Sequence, residues 1–206
     1  MNRGRRHTSP TRQIVDADGN IYTSVVIGTQ TWLVENLKTT HFNNGDAIPY
    51  PMNNSDWIDL ATPAYCMYNR DDANKTPYGA LYNFYVGIDG RGVAPIGYHV
   101  PTKIEIDTLN TYLGTAPGGK LKEIGTTHWN SPNTSASNSS GFSAVGTGLR
   151  ASNGPFSDIK NYGYLQTVTS YNSGHSWFFL LSYNLEDNTS KHDPKSTGMS
   201  IRCIKD

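Results

Sequence analysis

The segment that decides the fold closes the chain: Gly198-Met-Ser-Ile-Arg-Cys-Ile-Lys-Asp206 has the regular pattern of a strand. Ile201 and Ile204 flank Cys203 in this segment, which favours a core position for the thiol. The preceding residues, 163–197, are rich in Tyr, Ser, Asn, Trp, Phe and His. Aromatic rings provide contact area at low entropic cost, and Ser and Asn provide adaptable hydrogen bonds. This C-terminal region therefore indicates recognition more than catalysis.

The composition limits the classes of protein to consider. A chain of 206 residues with 36% hydrophobic residues and 20 Gly can form one loop-rich domain, which we expect over residues 14–206. The 17 basic and 17 acidic residues give a net charge of zero, so we expect no nucleic-acid partner. No apolar run approaches the roughly 20 residues that cross a bilayer, so we expect no membrane span.

The first thirteen residues form a basic arm that contains Arg3, Arg5, Arg6 and Arg12. We expect the arm to be disordered, either as a frayed terminus or as a segment that contacts a partner. It lacks the apolar region of a signal peptide. The sequence leaves localisation open, with display on a virion or a cell surface as the expectation that suits recognition.

Local patterns predict an α+β fold with long ordered loops. Asp18-Gly19 predicts a tight hairpin within residues 14–22, and the β-branched residues 23–33 predict a strand pair. Trp129, Phe142 and Leu149 punctuate the polar residues 129–154, which predicts a long loop pinned by these anchors.

Two helices are expected. In residues 77–85 the apolar spacing of Leu81, Phe84 and Tyr85 predicts a short helix. The second helix has a capping box, Thr102-Lys-Ile-Glu105, and ends near Gly114. Its predicted buried stripe consists of Ile106, Leu109 and Leu113.

Eleven ordered phrases resemble one family, the Fibrobacter succinogenes major paralogous domain. They include Asp16-Ala-Asp-Gly-Asn-Ile-Tyr22, Ile27-Gly-Thr-Gln-Thr-Trp-Leu33, Glu35-Asn-Leu-Lys38, Tyr78-Gly-Ala-Leu-Tyr-Asn83, Gly97-Tyr-His-Val-Pro101 and Ser200-Ile-Arg-Cys-Ile-Lys-Asp206. The resemblance implies a C-type lectin-like fold related to formylglycine-generating enzymes. It also implies two helices, small antiparallel sheets that join the termini, and loops that present the ligand-binding residues.

Similar domains serve as variable proteins of diversity-generating retroelements, in which a reverse transcriptase rewrites C-terminal codons at adenines. This chain departs from the family within Tyr162-Gly-Tyr-Leu-Gln-Thr-Val-Thr169 and at Phe178-Phe179, as targeted variation of residues 163–197 would produce. We therefore expect a diversified surface that binds a protein or cell-surface ligand. The alternative is an invariant carbohydrate- or cell-surface-binding module, because ordinary drift in an exposed loop would look the same.

The sequence predicts no enzyme, no cofactor and no metal site. No pair among the six His has metal-ligand spacing, and the calcium-dependent sugar-binding motifs of C-type lectins do not occur. Cys66 and Cys203 form either a single bridge or two buried thiols, and neither lies in the cysteine motif of the formylglycine-generating enzymes.

The expected ligand-binding face follows from strand alternation in the C-terminal region. Trp177, Leu180 and Leu181 are expected to point inward as anchors. The candidate binding residues are Leu165, Thr167, Tyr171, Asn172, Ser173, His175, Phe178, Phe179, Ser182 and Asn184. For Phe178 and Phe179 a core position for at least one of the two remains open.

Overall fold

The computed structural model describes residues 13–206, so the predicted basic arm lies outside the described residues except for Gln13. The described part contains thirteen strands and four helices. The strands are β1 (Ile14–Val15), β2 (Ile21–Tyr22), β3 (Ser24–Ile27), β4 (Gln30–Leu33), β5 (Tyr65–Cys66), β6 (Leu81–Tyr82), β7 (Tyr98–His99), β8 (Thr147–Arg150), β9 (Phe156–Ile159), β10 (Tyr162–Ser170), β11 (His175–Ser182), β12 (Asn188–Pro194) and β13 (Ile204–Lys205). The helices are α1 (Lys75–Tyr78), α2 (Phe84–Gly87), α3 (Lys103–Leu113) and α4 (Pro117–Leu121).

The strands form four sheets. The largest has five strands in the order β12-β11-β10-β8-β9, and the next has four in the order β3-β4-β13-β7. In the four-stranded sheet the C-terminal β13 pairs antiparallel with β4 and with β7, so a small antiparallel sheet joins the two ends of the domain, as predicted. The five-stranded sheet is mixed, because β10 and β8 are parallel at Gly163 and Gly148.

The N-terminal hairpin forms where the sequence predicts it. Ile14 pairs with Tyr22, and Gly19 adopts a φ of +80° in the turn, a conformation that glycine adopts without strain. The Asp16 carboxylate fixes the turn by accepting hydrogen bonds from the Asn20 backbone N–H at 3.0 Å and the Tyr22 hydroxyl at 2.5 Å. The predicted strand pair follows as β3 and β4.

The capped helix is confirmed as α3. The Glu105 N–H donates to the Thr102 hydroxyl at 3.3 Å, and the Thr102 N–H donates to the Glu105 carboxylate at 2.7 Å. This reciprocal box satisfies two of the amides that a helix N-terminus leaves unpaired. Residues Ile106, Leu109 and Leu113 are buried as predicted.

The other predicted helix, residues 77–85, is wrong as a single element. The chain forms α1, then strand β6, then α2. Gly79 ends α1 with a φ of +77°, and Leu81 and Tyr82 pair with β5. The apolar spacing there reflects burial on all sides and not one helical face, since Leu81, Tyr82 and Phe84 are all in the core. The expectation of two helices is corrected to four within residues 13–206.

Both faces of the five-stranded sheet are covered. One face packs Phe179 and Leu181 into a cluster that includes Leu109 of α3. The opposite face packs Phe178 with Tyr164 and with other residues of a second cluster. A strand that is buried on both faces loses the alternation of polar and apolar residues that marks a half-exposed strand.

The polar loop between α4 and β8 is ordered around buried anchors, as predicted. Trp129 and Phe142 are fully buried, and Leu149 lies within β8 and not in a loop. The loop is also held by a buried cation, because the Lys122 ammonium donates to the carbonyls of Thr134, Ser182 and Leu185 at 2.8–2.9 Å. Burial lowers the pKa of Lys122 to about 8.

Arg150, at the other end of the loop, is also a buried cation that donates to backbone carbonyls. Its guanidinium donates to the carbonyls of Pro51, Asn53 and Gly154 at 3.0–3.1 Å and lies 4.3 Å from the Trp57 ring centroid. Cations that are held by backbone carbonyls thus fix long loops against the sheet.

Cys66 and Cys203 are both buried free thiols, which selects that alternative over a bridge. Burial raises the pKa of Cys66 to about 12 and raises that of Cys203 as well, so both stay protonated near neutrality. None of the four helices in the described part is long and apolar enough to cross a membrane.

Candidate functional site

The turn between β10 and β11 presents the main exposed group of aromatic side chains in the C-terminal region. The Asn172 side-chain oxygen accepts hydrogen bonds from the backbone N–H groups of Gly174 and His175 at 2.9 and 2.8 Å. The Tyr171 N–H donates to the His175 carbonyl at 2.9 Å, which closes the hairpin. The turn is thus fixed by local bonds that asparagine makes well, and it holds its neighbouring side chains in defined positions.

Four rings pack against one another at this turn, and we call Tyr171, His175, Trp177 and His192 the aromatic tip. Tyr171 and His192 stack with centroids 3.7 Å apart and planes 3° apart. Trp177 lies edge-on to Tyr171 at 5.2 Å and to His192 at 5.7 Å. His175 lies edge-on to His192 at 5.6 Å. The edge-on contacts have a preferred geometry of aromatic pairs, and the parallel Tyr171 and His192 rings are in direct contact, so the four rings hold one another in place and the tip is preorganised.

Strand register brings the tip together. β11 and β12 are antiparallel with Trp177 opposite His192, which places the two rings on one face of the sheet. Helix α3 begins beside this face, with Lys103 Nζ 5.3 Å from the Trp177 ring centroid. Phe179, two residues further along β11, is covered by the cluster that contains Leu109, whereas Tyr171 remains 49% exposed.

Half of the ten predicted binding residues are not on an exposed face. Alternation misplaced them because the middle of the sheet is covered on both sides, so outward and inward positions are equally buried. Trp177, expected to point inward, belongs to the aromatic tip and is half-buried. The buried residues are Leu165, Thr167, Phe178, Phe179 and Ser182, with exposures of 0–6%.

The remaining five predicted residues lie at the surface in two places. Tyr171, Asn172 and Ser173 are exposed in the turn, and His175 is half-buried beside them. Asn184 is exposed beyond the other end of β11, where its side-chain oxygen accepts a hydrogen bond from the Ser182 hydroxyl at 2.6 Å. Four of the ten therefore cluster, and Asn184 does not join them.

His192 is the tip residue that the sequence does not reveal. It lies in the polar run of β12, twenty-one residues after Tyr171 along the chain. Only the pairing of β11 with β12 brings it onto the Tyr171 ring. The spacing of the six His along the chain contains no signal for this contact.

Asp193 is a carboxylate that adjoins the histidines of the tip. Asp193 follows His192 and accepts a hydrogen bond from the Thr197 hydroxyl at 2.9 Å. Burial raises the pKa of Asp193, and the neighbouring His175 and His192 act in the opposite direction. Across residues 13–206, no group of three or more His, Cys, Asp and Glu side chains is placed to hold a metal ion.

A small cleft adjoins the tip at Gly174. It has a volume of about 140 Å³, and its lining includes Tyr85, Gly174, Pro194 and Lys195. Lys195 Nζ lies 4.9 Å from the Phe84 ring centroid at this place. The tip therefore combines protruding rings with an adjacent depression, the two shapes that a complementary surface can engage.

The comparison with protein families identifies the scaffold. The Fibrobacter succinogenes major domain matches residues 25–205, which covers most of the chain, including every strand from β4 to β13. No curated protein and no solved structure matches the chain. The chain belongs to the Fibrobacter succinogenes major domain family.

Proposed function

We propose that this protein is a non-catalytic binding protein and that the aromatic tip is the centre of its ligand-binding surface. The observation that carries the proposal is the preorganised group of four rings at an exposed turn, with Tyr171 stacked on His192. Binding loses less entropy when the contact residues are already held in place. Tyr and Trp are also the residue types that most often dominate binding energy at interfaces.

The ring geometry favours a protein or cell-surface receptor over a flat sugar-binding strip. Trp177 lies at 89° to the Tyr171 ring plane, and His175 lies at 86° to the His192 plane. Rings that are perpendicular to each other form a rugged surface and not a coplanar platform. The adjacent cleft at Gly174 adds relief that a side chain of a partner can occupy.

The alternative function is an invariant carbohydrate- or cell-surface-binding module. The observation in its favour is the exposed Tyr171 beside Asn172 and Ser173, since a sugar needs a ring to stack on and hydrogen-bonding side chains at its edge. A single sugar unit stacked on Tyr171 would suffice for this function.

We further propose that the scaffold is C-type lectin-like and that its C-terminal surface is diversified by a retroelement. The support is the resemblance described above and the position of the departures in the C-terminal region. Diversification would have to act at the codons of exposed residues such as Tyr171, Asn172 and Ser173. Substitution of a core residue such as Phe179 by a smaller one would create a cavity. Sequencing the DNA around the gene tests this point. A near-copy that differs at adenines of the tip codons would support it, and absence of a copy would refute diversification while leaving the binding proposal intact.

Binding by the tip is tested with a pair of tyrosine variants. Purified protein is applied to an array of cell-surface proteins and to a glycan array, and every hit is compared with Tyr171→Ala and Tyr112→Ala. Tyr112 is a matched control because it is 64% exposed on α3, away from the tip. We expect Tyr171→Ala to weaken binding at least about tenfold and Tyr112→Ala to leave it unchanged. If Tyr171→Ala binds as tightly as Tyr112→Ala, the role of the tip is refuted. Hits confined to the glycan array would select the carbohydrate alternative.

A further inference from the structure

Arg202 is a buried cation that differs from the carbonyl-bound Lys122 and Arg150. It is 2% exposed, and its guanidinium lies 4.5 Å from the Phe142 ring centroid. Its Nε donates to Asn36 Oδ1 at 2.8 Å, and Nη1 donates to the Phe142 carbonyl. Among the described residues, Nη2 donates to no acceptor, and no carboxylate forms an ion pair with this guanidinium.

A charge in this position is costly unless something compensates it. Removing an ion from water without a counter-ion carries a large free-energy penalty. The penalty is visible in the pKa of Arg202, which burial lowers to about 9. Arg202 is therefore protonated at neutral pH, and although the charge of Glu35 acts on it from a distance, no carboxylate among residues 13–206 forms an ion pair with it.

Arg202 lines a cleft of about 250 Å³. Most of the other lining residues belong to segments 34–38 and 76–79. One acid of the lining, Glu35, acts on Arg202 only through space, because its two oxygens accept hydrogen bonds from the Thr23 N–H and hydroxyl at 2.8 Å. Glu123, across the cleft, accepts from His128 Nδ1 at 2.8 Å. Both carboxylates of the lining thus have partners of their own.

The other polar groups of the cleft are mainly donors. Lys38 lines it and forms no ion pair with any of residues 13–206. The Ser143 oxygen accepts from Asn138 Nδ2 at 2.7 Å, which leaves its hydroxyl hydrogen to donate. Thr76 adds a second hydroxyl at the exposed rim. A donor-rich cleft whose guanidinium forms no ion pair within residues 13–206 is complementary to an oxyanion.

We propose that this cleft is a second binding site, which takes a monosaccharide-sized molecule that has hydroxyl groups and one oxyanion, with the oxyanion on Arg202. Carboxylate and phosphate share the required chemistry, so a sugar acid and a sugar phosphate are the two possible sources. The volume lies below the roughly 300–1,000 Å³ of sites for drug-sized ligands, which suits a molecule of this smaller size. The cleft shares no lining residue with the aromatic tip, so the two sites are separate.

The test measures binding of four defined probes by isothermal titration calorimetry: glucuronate, glucose 6-phosphate, neutral glucose and acetate. We expect one of the two charged sugars to bind at least about tenfold more tightly than glucose and acetate, since hydrogen bonds to a charged group and to hydroxyls both contribute. The charged sugar that binds identifies the source of the oxyanion. Equal binding of all four probes, or no binding of either charged sugar, would overturn the proposal, and acetate binding as tightly as the sugars would overturn the role of the hydroxyls.

Variants separate binding from folding. Arg202→Gln removes the charge but also changes a core contact, so Thr76→Trp is the second variant, since it fills the exposed rim without altering Arg202. Thr115→Trp is the matched control at an exposed threonine outside the cleft. Loss of charged-sugar binding in Thr76→Trp but not in Thr115→Trp supports the site. Unchanged binding in Thr76→Trp overturns it even if Arg202→Gln fails to fold.

Discussion

The loop around Asn133 and the turn around Asn172 have similar compositions and opposite environments. Both are rich in Asn and Ser, yet Asn133 is 5% exposed while Asn172 lies at the surface. The loop is closed on one side by buried Trp129 and on the other by Phe142, and Lys122 binds its Thr134 carbonyl. The turn is held instead by the hydrogen bonds of Asn172 and Tyr171, and its rings pack on Trp177, which is only half-buried. Polar composition alone therefore does not identify a binding loop. Buried aromatic anchors and a buried cation are what distinguish the covered loop from the exposed turn.

The largest expected effect comes from removing the cation that fixes the loop. Lys122→Met keeps the approximate volume of the side chain but leaves the carbonyls of Thr134, Ser182 and Leu185 without their donor. Unpaired buried acceptors cost about 1–3 kcal/mol each, partly offset because a buried charge is also removed. We expect the free energy of unfolding to fall by about 4 kcal/mol, measured by denaturant titration.

The matched control for this variant is Lys191→Met, since Lys191 is exposed on β12. We expect its unfolding free energy to change by less than about 0.5 kcal/mol. A similar stability for both variants would mean that the buried cation does not distinguish the loop from the turn.

The second prediction compares the two asparagines directly. Asn133 Nδ2 donates to the carbonyls of Glu123 and Gly125 at 2.8 and 2.7 Å, and its φ of 45° is one that asparagine tolerates better than alanine. Asn133→Ala should therefore lower the free energy of unfolding by about 2–3 kcal/mol. Asn172→Ala loses two bonds to an exposed turn and should lower it by about 1 kcal/mol or less.

The same pair of variants is informative in the binding assay. Asn172→Ala should loosen the aromatic tip and reduce binding, whereas Asn133→Ala should leave the affinity of the folded fraction unchanged. The opposite order of stabilities would show that the loop, and not the turn, is the adaptable region of this fold.

The sequence predicts local structure well where one residue type performs one physical task. Asp18-Gly19 predicts the first hairpin, and the Thr102–Glu105 box predicts the start of α3, because a tight turn and a helix cap each depend on neighbours in the chain. The predicted helix over residues 77–85 is wrong because Leu81 and Tyr82 are buried on all sides within a strand, so their apolar character does not report one face of a helix.

The candidate site is predicted only in part, for a related reason. The turn residues Tyr171, Asn172 and Ser173 follow from local composition, and the structure places them together at the surface. The positions of Phe178 and Phe179 depend on what covers each face of the sheet, and a single sequence contains no record of that. Contacts made by strand pairing, such as His192 on Tyr171, are likewise invisible along the chain.

The smallest expected effect concerns the contacts of His99 with Asp206 and Glu105 and their dependence on pH. His99 Nδ1 lies 2.8 Å from Asp206 and Nε2 lies 2.8 Å from Glu105. Burial opposes the charged form of His99, but the hydrogen bonds to these two carboxylates raise its pKa on balance above the usual 6.5. Burial likewise opposes the charged form of Glu105, but hydrogen bonds from Thr102 and His99 lower the pKa of Glu105 below 4.5.

The signs of the two shifts set a window of pH in which this contact stabilises the fold. The contribution of His99 is fully present below about pH 6.5 and is lost as the pH rises through its raised folded-state pKa; that of Glu105 is present above about pH 4.5 and is lost as the pH falls. Since His99 is partly exposed, solvent screening keeps the effect below about 1 kcal/mol. The advantage in melting temperature of the wild type over His99→Gln should therefore decline slightly as the pH rises from about 6 to 9. The comparison cancels the titration of Lys122, which the two proteins share. His192→Gln is the matched histidine at the aromatic tip, and it should leave the decline in place. If the decline instead disappears in His192→Gln, the group that titrates belongs to the aromatic tip. The contrast between the scaffold around His99 and the exposed turn around Asn172 would then not hold.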